Sequence, residues 1–186
     1  AFAAGTTSQI FRRDLVTGET LIVSHGPTGA LGDDSSYDPA ISADGRYVVF
    51  VSDAMNLDPL GREKASFYTE AYRWDATTDT LARFEYDATR VGSEEPNDDA
   101  LTPSISADGD RVLIISGADN LTLITNPSLQ GEALVYTFST NTWVDASRVP
   151  LSIASPFGPD SAVISGNGRY VAFTTEDAIA ETYDLN

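Results

Sequence analysis

Apolar residues along this chain come in short runs bounded by polar turn formers, and the runs recur. "ISADGRYVVF" at 41–50 returns as "ISADGDRVLI" at 105–114 and "ISGNGRYVAF" at 164–173. Asp44-Gly45 predicts a tight two-residue hairpin turn in which both central residues take positive φ, a conformation open to Gly and tolerated by Asp or Asn. Asp108-Gly109 and Asn167-Gly168 stand at the matching places, so an amide serves as well as an acid. Such exchange marks a turn rather than a catalytic carboxylate. Behind each turn, "RYVVFVS", "DRVLIIS" and "RYVAFTT" are unbroken β-branched and aromatic runs of seven residues. Runs of this length without alternation predict strands dry on both faces, as in a sheet stacked between two others.

A second element recurs out of phase with the first: "QIFRRDLVTGETLIVS" at 9–24, "EAYRWDATTDTLARFE" at 70–85 and "EALVYTFSTNTWVDAS" at 132–147. Each reads as strand, polar turn, strand, with turn cores Thr17-Gly18, Thr78-Asp79 and Thr140-Asn141. Each period therefore carries two hairpins, or four strands. The periods, 64 residues from Ile41 to Ile105 and 59 from Ile105 to Ile164, are longer than a common propeller repeat. Four antiparallel strands at such spacing predict an all-β fold of β-propeller blades, three four-stranded antiparallel sheets in all.

The residues "SYDPAISADGRYVVFVSD" with the hairpin "FRRDLVTGET" resemble TolB-like β-propeller repeats, and the resemblance runs over 9–185. It departs from the pattern in the third copy, where Ala162 replaces Pro39 and Pro103. The resemblance implies fold more than activity, since propellers of this kind are mostly binding platforms and only some are enzymes.

The chain reads as one domain, 1–186, with an outer hairpin at 9–36, repeats at 37–100 and 101–160, and an inner hairpin at 161–186. That totals three blades' worth, whereas closed propellers have about four or more. The expectation is an incomplete ring, either a piece of a longer propeller or a ring completed by another chain. "ETYDLN" at 181–186 starts the outer pattern again, since Tyr183-Asp184-Leu185 echo Arg13-Asp14-Leu15. Open blade faces and edges call for another polypeptide, in a homo- or hetero-oligomer.

Composition narrows the partners. Eleven Lys and Arg against 28 Asp and Glu give a net charge of −17, which repels nucleic acid and anionic membranes. Lys64 is the one lysine. No cysteine is present, removing disulfides, thiolate nucleophiles and thiolate metal sites together. No apolar run is long enough for a membrane span. The small, polar opening "AFAAGTTSQ" reads as a processed N-terminus or as the cut edge of a longer sequence, and the first of these suggests a periplasmic or extracellular location.

Candidate chemistry is sparse. The acidic loops with Asp33, Asp34 and Asp38, and with Glu94, Glu95, Asp98 and Asp99, carry the oxygen that calcium requires. The third copy has Asp160 alone and no EF-hand pattern occurs, so solvated acidic loops are expected. Asn56-Leu57 and Asn120-Leu121 read as a repeated corner burying one leucine. His25, beside Ser24, is the lone imidazole and lies near no nucleophile motif. Tyr72, Trp74, Phe67, Tyr68 and Trp143 have the rings to stack on sugar, but blade packing accounts for them. No residue is assigned a catalytic, cofactor-binding or metal-binding role. The expected function is a non-catalytic protein-binding or scaffold module, with a fragment of a propeller enzyme acting on carbohydrate or peptide as the alternative and a calcium-dependent adhesin as a weaker third.

Overall fold

A computed structural model describes residues 7–61, 64, 67–85, 96–118, 120–121, 131–147 and 158–174. Among these there is no helix, and hence none long and apolar enough to cross a membrane. The described residues form twelve strands in four antiparallel sheets. The outer two are hairpins, β1 (Phe11–Arg13) with β2 (Thr20–Ile22) and β11 (Ser161–Ile164) with β12 (Val171–Thr174). Between them stand two four-stranded meanders. One is β3 (Ser36–Ile41), β4 (Tyr47–Ser52), β5 (Glu70–Asp75) and β6 (Thr80–Arg83). The other is β7 (Ala100–Ile105), β8 (Arg111–Ser116), β9 (Glu132–Thr137) and β10 (Thr142–Asp145). The expected three blades' worth of strands is thus laid out as two whole sheets flanked by two halves, and among the described residues no barrel closes.

The unbroken apolar runs have a simple cause. Along a strand, successive side chains point to opposite faces, and both faces of β4 and β8 meet another sheet. Val48 and Phe50 enter a core with Ile10, Val23 and Trp74 of the neighbouring elements, whereas Val49 and Val51 enter the next core. Val112 and Ile114 join that same second core from the other side, and Leu113 and Ile115 face a third, with Ala162 and Ile164. The third copy departs from the expectation. In β12 Val171 and Phe173 pack inward while Ala172 and Thr174 are exposed, because among the described residues no sheet lies on that face.

The turns also differ from the two-residue type. Only Gly45 is left-handed, at φ 70°, and Asp44 is not. The connection is a four-residue loop, in which the Gly45 N–H donates to the Ser42 carbonyl at 3.0 Å and the Ser42 N–H to the Tyr47 carbonyl at 2.9 Å. Asp44 Oδ1 accepts from Ser42 Oγ at 2.6 Å and from the Arg46 N–H at 3.0 Å, and Ser42 Oγ accepts from the Tyr47 N–H at 2.9 Å. Ser106 and Asp108 repeat this set, as do Ser165 and Asn167. The hydrogen bonds from Ser42 and from Ser106 hold the Asp44 and Asp108 carboxyls below their ordinary pKa. Serine is therefore as much a part of the turn as Asp-Gly.

Each turn is also tied to the next sheet. The Ala43 N–H donates to the Ala107 carbonyl at 2.9 Å, and the Ala107 N–H to the Gly166 carbonyl at 2.7 Å. Arg12 Nε donates to the Gly45 carbonyl at 2.7 Å, and Arg73, its counterpart one repeat on, to the Gly109 carbonyl at 2.7 Å. Val135 holds that place in the third hairpin, and Arg111 on the adjacent strand bonds the Gly168 carbonyl instead, at 2.8 Å. Gly109 sits so near Tyr47 that an added Cβ falls 2.1 Å from the ring, at φ 73°. Gly109→Ala is expected to lower stability by about 3 kcal/mol through left-handed strain and overpacking. Gly29→Ala, at φ 80° with open space around it, is expected to lose only about 1 kcal/mol. Urea midpoints check both, and equal losses would refute the steric account.

Pro39 and Pro103 mark register shifts in β3 and β7, between Tyr37 and Ala40 and between Leu101 and Ser104. The bulged residues Asp38 and Thr102 take φ of 52° and 46°. β11, with Ala162 in the proline's place, pairs with β12 without a shift.

Candidate functional site

The strands β5 and β6 end over a group of charged side chains removed from solvent. Arg83, at the end of β6, donates from Nη2 to Glu70 Oε1 at 2.5 Å and from Nη1 to Asp58 Oδ2 at 3.1 Å. Glu70 Oε2 accepts from the Tyr72 hydroxyl at 3.1 Å. Glu85 lies beyond β6, and its Oε2 accepts the Ala71 N–H at 2.5 Å. Lys64, on the loop between β4 and β5, completes the group at 2% exposure. Neither Lys64 Nζ nor Glu85 Oε1 has a hydrogen-bond partner. The lone lysine is therefore absent from the acidic surface.

The repeat explains how this group is positioned. Ser24, Glu85 and Ser147 occupy one place in the three outer hairpins, each fifteen residues past Gln9, Glu70 and Glu132. Each closes its hairpin in the same manner. Ser24 Oγ accepts the Ile10 N–H at 2.9 Å, and Ser147 Oγ accepts the Ala133 N–H at 3.0 Å, as Glu85 does for Ala71. In the middle hairpin alone, a carboxyl replaces the hydroxyl and extends into the protein. Burial, reinforced by the nearby Glu70 carboxylate, pushes the Glu85 pKa up to about 8 against the backbone N–H, Arg83 and Lys64, which act the other way. Glu85 thus holds its proton at neutral pH. Burial likewise raises the Tyr72 phenol well above its ordinary value. Every member of the group is buried, so the chemistry available to it is internal ion pairing and proton binding rather than contact with a substrate.

The sequence candidates lie elsewhere. His25 places Nε2 3.1 Å from Asp79 Oδ1 and Nδ1 3.1 Å from the Gly26 carbonyl. Ser24 points away, its Oγ donating to Gln9 Oε1 at 2.7 Å, so the two neighbours form no dyad. Asp33 Oδ1 accepts the Met55 N–H at 2.8 Å, Asp34 Oδ1 that of Ser35 at 2.7 Å, Asp98 Oδ1 that of Asp99 at 2.8 Å and Asp99 Oδ1 that of Thr69 at 2.7 Å. These acids serve as loop fasteners. Asp160 donates its N–H to the Thr174 carbonyl at 3.2 Å, and Glu94 and Glu95 lie outside the described residues. No metal-binding group of three or more His, Asp or Glu occurs among the described residues.

Asn56 and Asn120 both accept from the opposite acidic loop, at 3.1 Å from Asp33 N and 3.3 Å from Asn97 N, with Leu57 and Leu121 buried beneath. Tyr72 and Trp74 are core residues, and Trp143 packs on Tyr136 at 5.0 Å between ring centres. Blade packing fails for Phe67, which is 94% exposed, and for Tyr68, also exposed, because both precede β5 on a loop. Comparing the three hairpins position by position reveals Glu85 against two serines, which was the available signal for the buried group.

Stacked four-stranded sheets, turns bonded sheet to sheet and apolar faces shared by neighbours define a partial β-propeller. No protein-family model matches the chain, and a search of curated protein sequences finds no match. Solved structures do match. TolB from Acinetobacter baumannii is 19% identical at a TM-score of 0.50, over 91% of this chain and 32% of that one. A prolyl endopeptidase structure is 14% identical at 0.52, over 91% of this chain and 23% of that one. A TolB from Agrobacterium tumefaciens is 18% identical at 0.44, over 89% and 50%. The chain thus spans 32% of the Acinetobacter baumannii TolB and 23% of the endopeptidase, and what it shares with these two is fold.

Proposed function

We propose that this chain is a non-catalytic binding or scaffold module whose end sheets dock on another polypeptide. One observation carries the reading. Residues whose repeat counterparts are buried become exposed at the end sheets and at the sheet face next to them. Ile41 is 54% exposed where Ile105 and Ile164 are 9% and 8%, and Phe11 is 46% exposed where Tyr72 and Leu134 are 1% each. Val163 and Tyr170 add apolar surface at the other end. Soluble proteins seldom leave such faces and strand edges bare. A non-catalytic role is supported by the uses found for the candidate groups: the loop acids fasten backbone, and His25 is held between Asp79 and the Gly26 carbonyl. A periplasmic or extracellular location fits the acidic surface and the TolB-like fold.

Light scattering on the purified chain tests the reading. The expected result is a species of at least twice the 19.9 kDa chain mass. A monodisperse monomer that melts cooperatively would sink it, because the end faces would then be stable in water.

A further inference from the structure

We infer that the polypeptide covering the end sheets is a second copy of this chain, and that β12 of one copy pairs with β1 of the other to make a hybrid four-stranded blade. This rests on the docking reading above and names its partner. The two half-sheets are complementary. β11 and β12 correspond to the inner hairpins β3–β4 and β7–β8, while β1 and β2 correspond to the outer hairpins β5–β6 and β9–β10. Within both whole sheets the two hairpins join in one register, Phe50 opposite Tyr72 and Ile114 opposite Leu134. The same register sets Phe173 opposite the second copy's Phe11 and Tyr170 opposite its Asp14.

Four further contacts of the repeat point to the same joint. Arg46, beside β4, holds Asp75 of β5 through two bonds of 2.9 and 2.8 Å. Arg169 is the counterpart of Arg46 and Asp14 that of Asp75, so the hybrid blade brings an exposed guanidinium to a carboxylate. Arg169 already lies over the Tyr170 ring at 5.1 Å, as Arg46 lies over Tyr47 at 4.6 Å. Tyr47 and Arg111 each support the turn glycine of the following sheet, Gly109 and Gly168. Tyr170 holds the corresponding place and meets Gly45 of the second copy. The turn-to-turn bonds that run from Ala43 to Ala107 to Gly166 continue from the Gly166 N–H to the second copy's Ala43 carbonyl. Finally, Val163 and Ala172 face the side on which the second copy's exposed Ile41 stands. Both ends of each copy are used, so two copies close head to tail through two equal joints, giving a ring of six sheets, within the four to eight blades that propellers have.

The chain has no cysteine, which makes cross-linking a clean test. Phe11→Cys and Phe173→Cys are prepared as separate single variants, purified, mixed and mildly oxidised. The expected result is a disulfide-linked dimer in the mixture and none in either variant alone, because each joint places one residue of each kind in opposition. Phe11→Cys mixed with Ala172→Cys stays unlinked, since a one-residue offset turns the thiol to the other face of the sheet. An oligomer by light scattering without the Phe11–Phe173 link overturns the hybrid blade and leaves the docking reading standing. Linking in a single variant alone indicates a like-with-like contact and also overturns it. A monodisperse monomer removes both, including the case in which residues 181–186 of the same chain take the edge of β12.

Discussion

Glu85→Gln is expected to make the protein more stable than the parent in mildly alkaline solution and nearly equal to it in acid. The sign follows from where the proton is held. Folding raises the Glu85 pKa from 4.5 to about 8. Below pH 4.5 both folded and unfolded chains bind the proton, and the favourable protonated carboxyl counts in full. Between these values only the folded form holds it, so stability falls as pH rises, by about 1.4 kcal/mol per unit. By pH 8 the loss reaches roughly 4 kcal/mol. Glutamine keeps an oxygen for the Ala71 N–H and has no proton to lose, so the variant lacks this slope. Thermal melts of parent and variant from pH 5 to pH 8.5 check the prediction, with the difference in midpoint widening as pH climbs. A gap that does not change with pH would show that Glu85 is ionised throughout or has no part in stability. Glu85→Ser, which copies the two other hairpins, is expected to behave in the same direction with a smaller gain, because it leaves a cavity beside Lys64.

Arg83→Ala is expected to lower stability by about 3–5 kcal/mol, the range for removing one partner from a buried ion pair. Arg83 lies between Asp58 and Glu70, and the side chains of all three are 2% exposed or less. Its removal takes away the cation facing two buried carboxylates and opens space under β6. Arg83→Lys retains the charge but not the planar fork, so it reaches one carboxylate at a time and is expected to fall between parent and alanine. The check is urea unfolding, comparing midpoints at unchanged slope. A loss below about 1 kcal/mol, the ordinary range for a surface pair, would mean that water enters the group freely and that its burial has been misjudged.

The strand framework was legible because each local signal agreed with the whole. Seven-residue apolar runs after Asp-Gly or Asn-Gly allow few alternatives to a hairpin strand, and dryness on both faces followed for β4 and β8. The same reasoning overreached at β12, since a run's composition cannot reveal whether a neighbour is present to cover its second face. Asp-Gly and Asn-Gly locate the turns but do not give their length. The dipeptide alone suggested two left-handed residues, whereas Ser42, three positions ahead of Gly45, holds a four-residue loop with one. The buried charged group escaped notice because its members are far apart in sequence, from Asp58 to Glu85, and each is an ordinary surface residue by type. Only the alignment of Glu85 with Ser24 and Ser147 carried a hint, and it becomes meaningful once all three are seen to accept the same backbone N–H.

The middle strands have a consequence for how such a chain tolerates change. In β4 and β8 odd and even positions belong to different cores, so each strand is a party wall with a separate tenant on either side. Deleting or inserting one residue there would send every side chain beyond that point into the wrong room. Apart from the bulges of β3 and β7, length varies in the connecting loops. The spacings of 64 and 59 residues bear this out: both whole sheets keep one strand register, and the five-residue difference falls between strands.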